Sequence, residues 1–88
     1  MLIPVYDRRF KKDVELMKKR GHGFQELETV TLLLLSGKPL PAKYRDHKLK
    51  GNYVDYRDCH VKNDMLLIYK KTKTHIYFAR LGTHSDIF

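Results

Sequence analysis

Residues 53–81 read YVDYRDCHVKNDMLLIYKKTKTHIYFARL. Three runs rich in β-branched, aromatic and aliphatic residues, Tyr53 to Val61, Met65 to Lys71 and Thr74 to Leu81, are separated only by Lys62-Asn63-Asp64 and Thr72-Lys73. Connections this short join neighbouring antiparallel strands, so the stretch predicts a three-stranded meander. In its first strand, period-two alternation places Tyr56, Asp58 and His60 on one face and Arg57, Cys59 and Val61 on the other. Asp58 and His60 can therefore meet the same ligand.

Upstream, Leu2 to Tyr6 reads as a short strand, with Pro4 tolerable at an edge. Asp7 can cap a helix in which Phe10, Val14 and Met17 recur at helical spacing, and Lys18-Lys19-Arg20-Gly21 closes it. A second helix is expected from about Phe24, with Leu27, Val30 and Leu34 on one face and a stop at Ser36-Gly37. The run Leu32 to Leu35 predicts deep burial. Lys38 to Asn52, carrying Pro39, Pro41 and Gly51, reads as an extended loop of roughly 15 residues, and loops that long are usually functional or disordered. The order β-α-α-β-β-β predicts one α+β domain over residues 1–88, two N-terminal helices packed on one face of a mostly antiparallel four-stranded sheet. The other face is left for a ligand.

The net charge of +8 on 88 residues attracts polyanions, and nucleic acid heads the expected partners, with an acidic protein next. A membrane role is not expected: the basic segment Arg8 to Arg20 has only a narrow apolar stripe, and four leucines fall far short of the about 20 apolar residues a span needs. The opening residues, soon followed by Asp7-Arg8-Arg9, do not read as a signal peptide. The single Cys59 permits no internal disulfide and reads as a small buried residue, which suits a reducing cytoplasm.

Groups fit for acid or base work crowd the second half: His47, Asp58, His60, Asp64 and His84. RNA cleavage without a metal or other cofactor needs a base for the ribose 2′-hydroxyl proton, an acid for the departing 5′-oxygen, and cations near the phosphate. Imidazoles suit both proton roles near neutral pH. Lys48, Lys50, Arg57 and Arg80 are candidates for the phosphate contacts, although Arg57 has the opposite strand parity from His60. Tyr53, Tyr56 and Phe88 are candidates for stacking on bases. His22 and His75 lie outside these groupings and read as surface residues. Two rival readings use the same residues. A metal-binding nuclease would use the His and Asp set, but no compact His-x-x-x-His pair occurs. A non-catalytic nucleic-acid-binding regulator needs only charge and aromatics, and leaves the histidine crowding unexplained.

The strings Asp46-His47-Lys48-Leu49-Lys50-Gly51, Tyr56-Arg57-Asp58-Cys59-His60-Val61-Lys62-Asn63-Asp64, Leu67-Ile68-Tyr69 and Arg80-Leu81-Gly82-Thr83-His84, in this order and spacing and followed by Ile87-Phe88, resemble the YafQ branch of the RelE family of mRNA interferase toxins. The resemblance implies a RelE-like fold, ribosome-associated cleavage of mRNA with contacts to ribosomal RNA, neutralisation by an acidic cognate antitoxin of the DinJ kind, and operator DNA binding through the toxin-antitoxin complex. It also implies His84 as general acid, His47 and His60 as further active-site histidines, Asp58 and Asp64 as the carboxylates, and Phe88 as an aromatic that meets RNA. His47 is the first candidate for the 2′-hydroxyl base and His60 the second. The first helix and Gly21-His22-Gly23 carry no family motif, and the wider family often places lysine and arginine where this branch has histidines.

Overall fold

Asp7 sets the start of the first helix, its side chain accepting from the Arg9 N–H at 2.8 Å. In the computed structural model, which describes residues 1–88, helix α1 then runs over Arg8–Lys19 and ends beside Gly21, whose φ of 83° is the left-handed conformation that stops helices. Helix α2 spans Gln25–Leu35 and ends the same way at Gly37, φ 79°. Only part of its leucine run is buried, contrary to expectation: Leu34 and Leu35 enter the core while Leu32 is 62% exposed. Successive residues stand about 100° apart around a helix, so four in a row cannot all face one side.

The strands are β1 (Ile3–Tyr6), β2 (His47–Lys48), β3 (Arg57–Lys62), β4 (Met65–Lys71) and β5 (His75–Gly82), in the sheet order β1-β5-β4-β3-β2. Every pairing is antiparallel except β1 against β5, where Ile3 pairs with His75 and Tyr6 with Phe78. Pro4 lies on the outermost strand, where a missing N–H costs least. The α+β layout stands as read, with one correction: the sheet has five strands rather than four. Between Lys38 and Asn52, a 3-10 turn at Ala42–Tyr44 leads into β2, which pairs His47 with Asp58 and Lys48 with Arg57. A two-residue strand has no periodicity to read; partner contacts create it. The first meander strand also starts later than expected, because Gly51–Tyr53 forms a second 3-10 turn before β3.

Both long helices pack on one face of the sheet. Phe10 and Met17 of α1 and Leu27, Val30, Leu34 and Leu35 of α2 join Cys59, Val61, Leu67, Tyr69, Ile76, Phe78 and Leu81 in a single core. Burial pushes the Cys59 thiol far up, so it is an inert apolar filler. On the opposite face the register sets His60 beside Leu66 and Asp58 beside Ile68. A short final helix, α3 (His84–Ile87), packs against β5 and brings the chain back to the sheet.

Candidate active site

Asp58 is the centre of the site. Strand alternation turns its side chain away from the core that Cys59 and Val61 fill, yet it is only 3% exposed, and one of its oxygens, Oδ1, has no hydrogen-bond partner. Burial raises its pKa above the ordinary carboxylate value; His47, then His60, then His84 pull it partly back. Strands β2 and β3 and the short final helix thus deliver three imidazoles to the surroundings of one buried acid.

His47 comes from β2, its Nε2 3.8 Å from Asp58 Oδ2. Its Nδ1 lies 2.8 Å from the Arg45 carbonyl oxygen, which can only accept, so Nδ1 carries the hydrogen and the lone pair of the neutral ring sits on Nε2. Asp46 anchors this segment. Tyr69 donates to Asp46 Oδ1 at 2.6 Å, while Arg57 grips the same carboxylate through Nε at 3.1 and 3.2 Å and a terminal nitrogen at 3.1 Å. Because Tyr69 is buried in the core, this network ties β2 to the centre of the molecule. Burial and the adjoining Asp46 push the Tyr69 hydroxyl far up, so it stays a donor.

His84 arrives differently. Thr83 caps α3 in a capping box, its side chain accepting from the Asp86 N–H at 3.2 Å while the Asp86 carboxylate accepts from the Thr83 N–H at 2.9 Å. Arg20, at the end of α1, holds the same carboxylate through two hydrogen bonds of 2.7 and 3.0 Å. Those bonds, with the cap, hold the Asp86 pKa far below the carboxylate range. Gly82 makes the close approach possible: a Cβ there would lie 3.0 Å from Asp86 Cβ and Oδ2. So placed, His84 donates from Nδ1 to Asp64 Oδ1 at 2.9 Å, and its backbone N–H reaches the same oxygen at 3.3 Å. These bonds lower the Asp64 pKa. The His84 ring lies 5.9 Å from that of His60 and 6.4 Å from that of Phe88.

The five residues read as acid and base groups in the sequence therefore converge. Phe88 adjoins them, and Lys48 and Lys50 are exposed nearby along the chain. Arg57 and Arg80 do something else. Arg57 faces the core side and binds Asp46; Arg80 binds Asp13 of α1 at 2.8 and 3.3 Å. Neither presents a free fork to a phosphate, which corrects the expectation of a phosphate clamp at those two positions. Arg20, Asp86 and the Asp46–Tyr69 anchor are positioning residues that sequence reading passed over. The pattern Thr83-x-x-Asp86 was a legible capping signal, whereas nothing in the sequence announces that Arg20 reaches α3. No three His, Cys, Asp or Glu side chains converge closely enough to hold a metal ion, and no helix is long and apolar enough to cross a membrane.

Known proteins share this architecture over its full extent. A curated relative, the mRNA interferase toxin YafQ of Escherichia coli, is 44% identical over 84 residues, covering 94% of this chain and 91% of that protein. The toxin in the crystal structure of the E. coli DinJ-YafQ toxin-antitoxin complex superposes with a TM-score of 0.92 at 41% identity, over 99% of this chain and 97% of its own. A metal-bound toxin from Helicobacter pylori superposes with a TM-score of 0.92 at 39% identity, over 100% of both chains. A family model described as the bacterial toxin of type II toxin-antitoxin systems, YafQ, matches residues 3–88, and the chain belongs to that family.

Proposed function

We propose that this protein is an mRNA interferase: an endoribonuclease that cuts messenger RNA on the ribosome by attack of the ribose 2′-hydroxyl on the adjacent phosphate. The observation that carries the reading is the gathering of His47, His60 and His84 around the buried Asp58. Neutral His47, with its lone pair on Nε2, takes the 2′-hydroxyl proton. Asp58, 3.8 Å away, stabilises the imidazolium that results. His84, held by Asp64, gives its proton to the departing 5′-oxygen. His60, beside the His84 ring, faces the phosphate and is the alternative base. Charge building on the phosphoryl oxygens is met by the imidazoles and by Lys48 and Lys50, and Phe88 stacks on a neighbouring base. This acid-base route uses the side chains alone, and retention of cleavage in a chelator tests whether a metal takes part.

The relatives' names support an mRNA substrate, and the DinJ complex of a relative supports an acidic antitoxin as partner, attracted by the charge of +8. Ribosomal RNA contacts, operator binding through the antitoxin complex and a cytoplasmic location complete the reading. It is tested by mapping cut sites and end chemistry on translated and on free mRNA. Cuts confined to translated mRNA and ending in 2′,3′-cyclic phosphate are expected. Cleavage and growth arrest both undiminished in His84→Ala and His60→Ala would overturn it.

A further inference from the structure

Beyond Phe88, the aromatic surface does not end. The Tyr53 ring lies edge-on to Phe88 at 6.1 Å, and Tyr56 follows at 6.0 Å. Lys70, on the same face by register, sets its ammonium 6.0 Å from the ring centres of both Tyr56 and Tyr77, bridging β3 to β5. Tyr77 in turn stacks on His75, 5.7 Å away with the rings 26° apart. A row of rings therefore leaves the histidine cluster and crosses the sheet to its far corner.

We propose that this row is a binding track for single-stranded RNA, on which several nucleotides to one side of the cut stack in succession. The inference rests on the cleavage reading for its starting point and extends it to residues that take no part in the chemistry. Rings set edge-on about 6 Å apart, centre to centre, offer splayed bases a run of aromatic surface without regard to sequence, and a lysine between Tyr56 and Tyr77 neutralises the backbone. Cations also flank the row: an open cleft of about 410 Å³ beside Tyr56 is bordered by Lys48, Arg57 and Lys71, with Asp55 the one acidic residue on its rim. The tyrosine hydroxyls tied up within the core are those of Tyr44 and Tyr69, whereas Tyr56 and Tyr77 are half-buried on the far face with rings and Lys70 as neighbours. Their continuity with the histidines favours RNA over a protein partner.

The test measures anisotropy of a labelled 2′-O-methyl decanucleotide, which binds but cannot be cut. Tyr56→Ala and Tyr77→Ala are each expected to weaken binding about 10-fold, with Tyr56→Phe and Tyr77→Phe restoring it because the ring is kept. Lys70→Gln should reduce the slope of log affinity against log salt by about 0.7, one phosphate contact on a single strand. Unchanged melting temperatures show that the variants fold. Wild-type affinity in both alanine variants, or loss of antitoxin binding with RNA binding intact, overturns the track. Cleavage of mRNA by the wild type is scored separately: if it persists while the track fails, the catalytic reading stands, and if the wild type cuts nothing, that reading falls whatever the oligonucleotide does.

Discussion

Arg20 and Asp86 stand 66 positions apart in the chain, and two hydrogen bonds of 2.7 and 3.0 Å join them. Through this clasp the end of α1 fixes a helix of one turn that could not stand by itself, because so short a helix never repays its nucleation. The helix carries His84.

Arg20→Ala is therefore expected to lower mRNA cleavage by about 10-fold or more, since a misplaced catalytic group is costly. Global stability should change far less than activity, because solvent screens so exposed a pair. Arg20→Lys should restore part of the activity, lacking the two-pronged grip. Parallel cleavage rates and melting curves check this, and full activity in Arg20→Ala would show that α3 holds its place without the clasp.

Asp58 makes the opposite kind of contribution. Burial raises its pKa above the ordinary carboxylate value, so the folded chain binds this proton more tightly than the unfolded chain does. The stability it gives is complete below the ordinary carboxylate range and is lost as pH rises through the raised folded value. Asp58→Asn removes the buried charge, so the variant should melt above the wild type at pH 8, by a margin that shrinks toward pH 4. Cleavage should nonetheless fall, on the order of 100-fold, because the imidazolium formed at His47 loses its counter-charge. A melting difference independent of pH would contradict the assignment of burial as the cause.

The anchor under His47 can be taken apart by degrees. Tyr69→Phe removes one bond to Asp46 and leaves both groups of the Arg57 pair in place, at an expected cost of about 1 kcal/mol. Asp46→Ala leaves Arg57 and the Tyr69 hydroxyl without their partner, and about 2–3 kcal/mol is expected. Activity should follow the same order if β2 is what positions His47. Equal denaturation midpoints for the two variants would show that the network is not shared in this way.

The meander and both long helices were legible because their signals are local: alternation in β3 and spacing of Phe10, Val14 and Met17 in α1. The convergence of acid and base groups was legible too, since Asp58 and His60 share a strand face and Gly82-Thr83 lets the chain turn back. What escaped depends on contacts between distant segments. Strand β2 exists because His47 and Lys48 find Asp58 and Arg57, and no propensity distinguishes those two residues from the loop around them. The arginines misled for a related reason. A sequence shows the charge of Arg57 and Arg80 but not that Asp46 and Asp13 already occupy them.

Asp64 offers the sharpest test of how the proton donor is held. Its carboxylate accepts both the Nδ1–H and the backbone N–H of His84, and these bonds hold it ionised below the usual range. Asp64→Asn keeps an accepting oxygen but not the charge, so the ring stays oriented, and cleavage near neutrality should fall by less than in Asp64→Ala, which removes the acceptor altogether. Because the folded chain gives up this proton more readily than the unfolded chain does, the stability Asp64 contributes is present above the ordinary carboxylate range and is lost as pH falls through the lowered folded value. The melting advantage of the wild type over Asp64→Asn should therefore shrink on acidification. Both partners are more than half exposed, so salt should mimic the substitution: at 1 M, where screening acts within about 3 Å, the wild type should approach the variant. Equal cleavage by the asparagine and alanine variants would show that Asp64 does not orient His84.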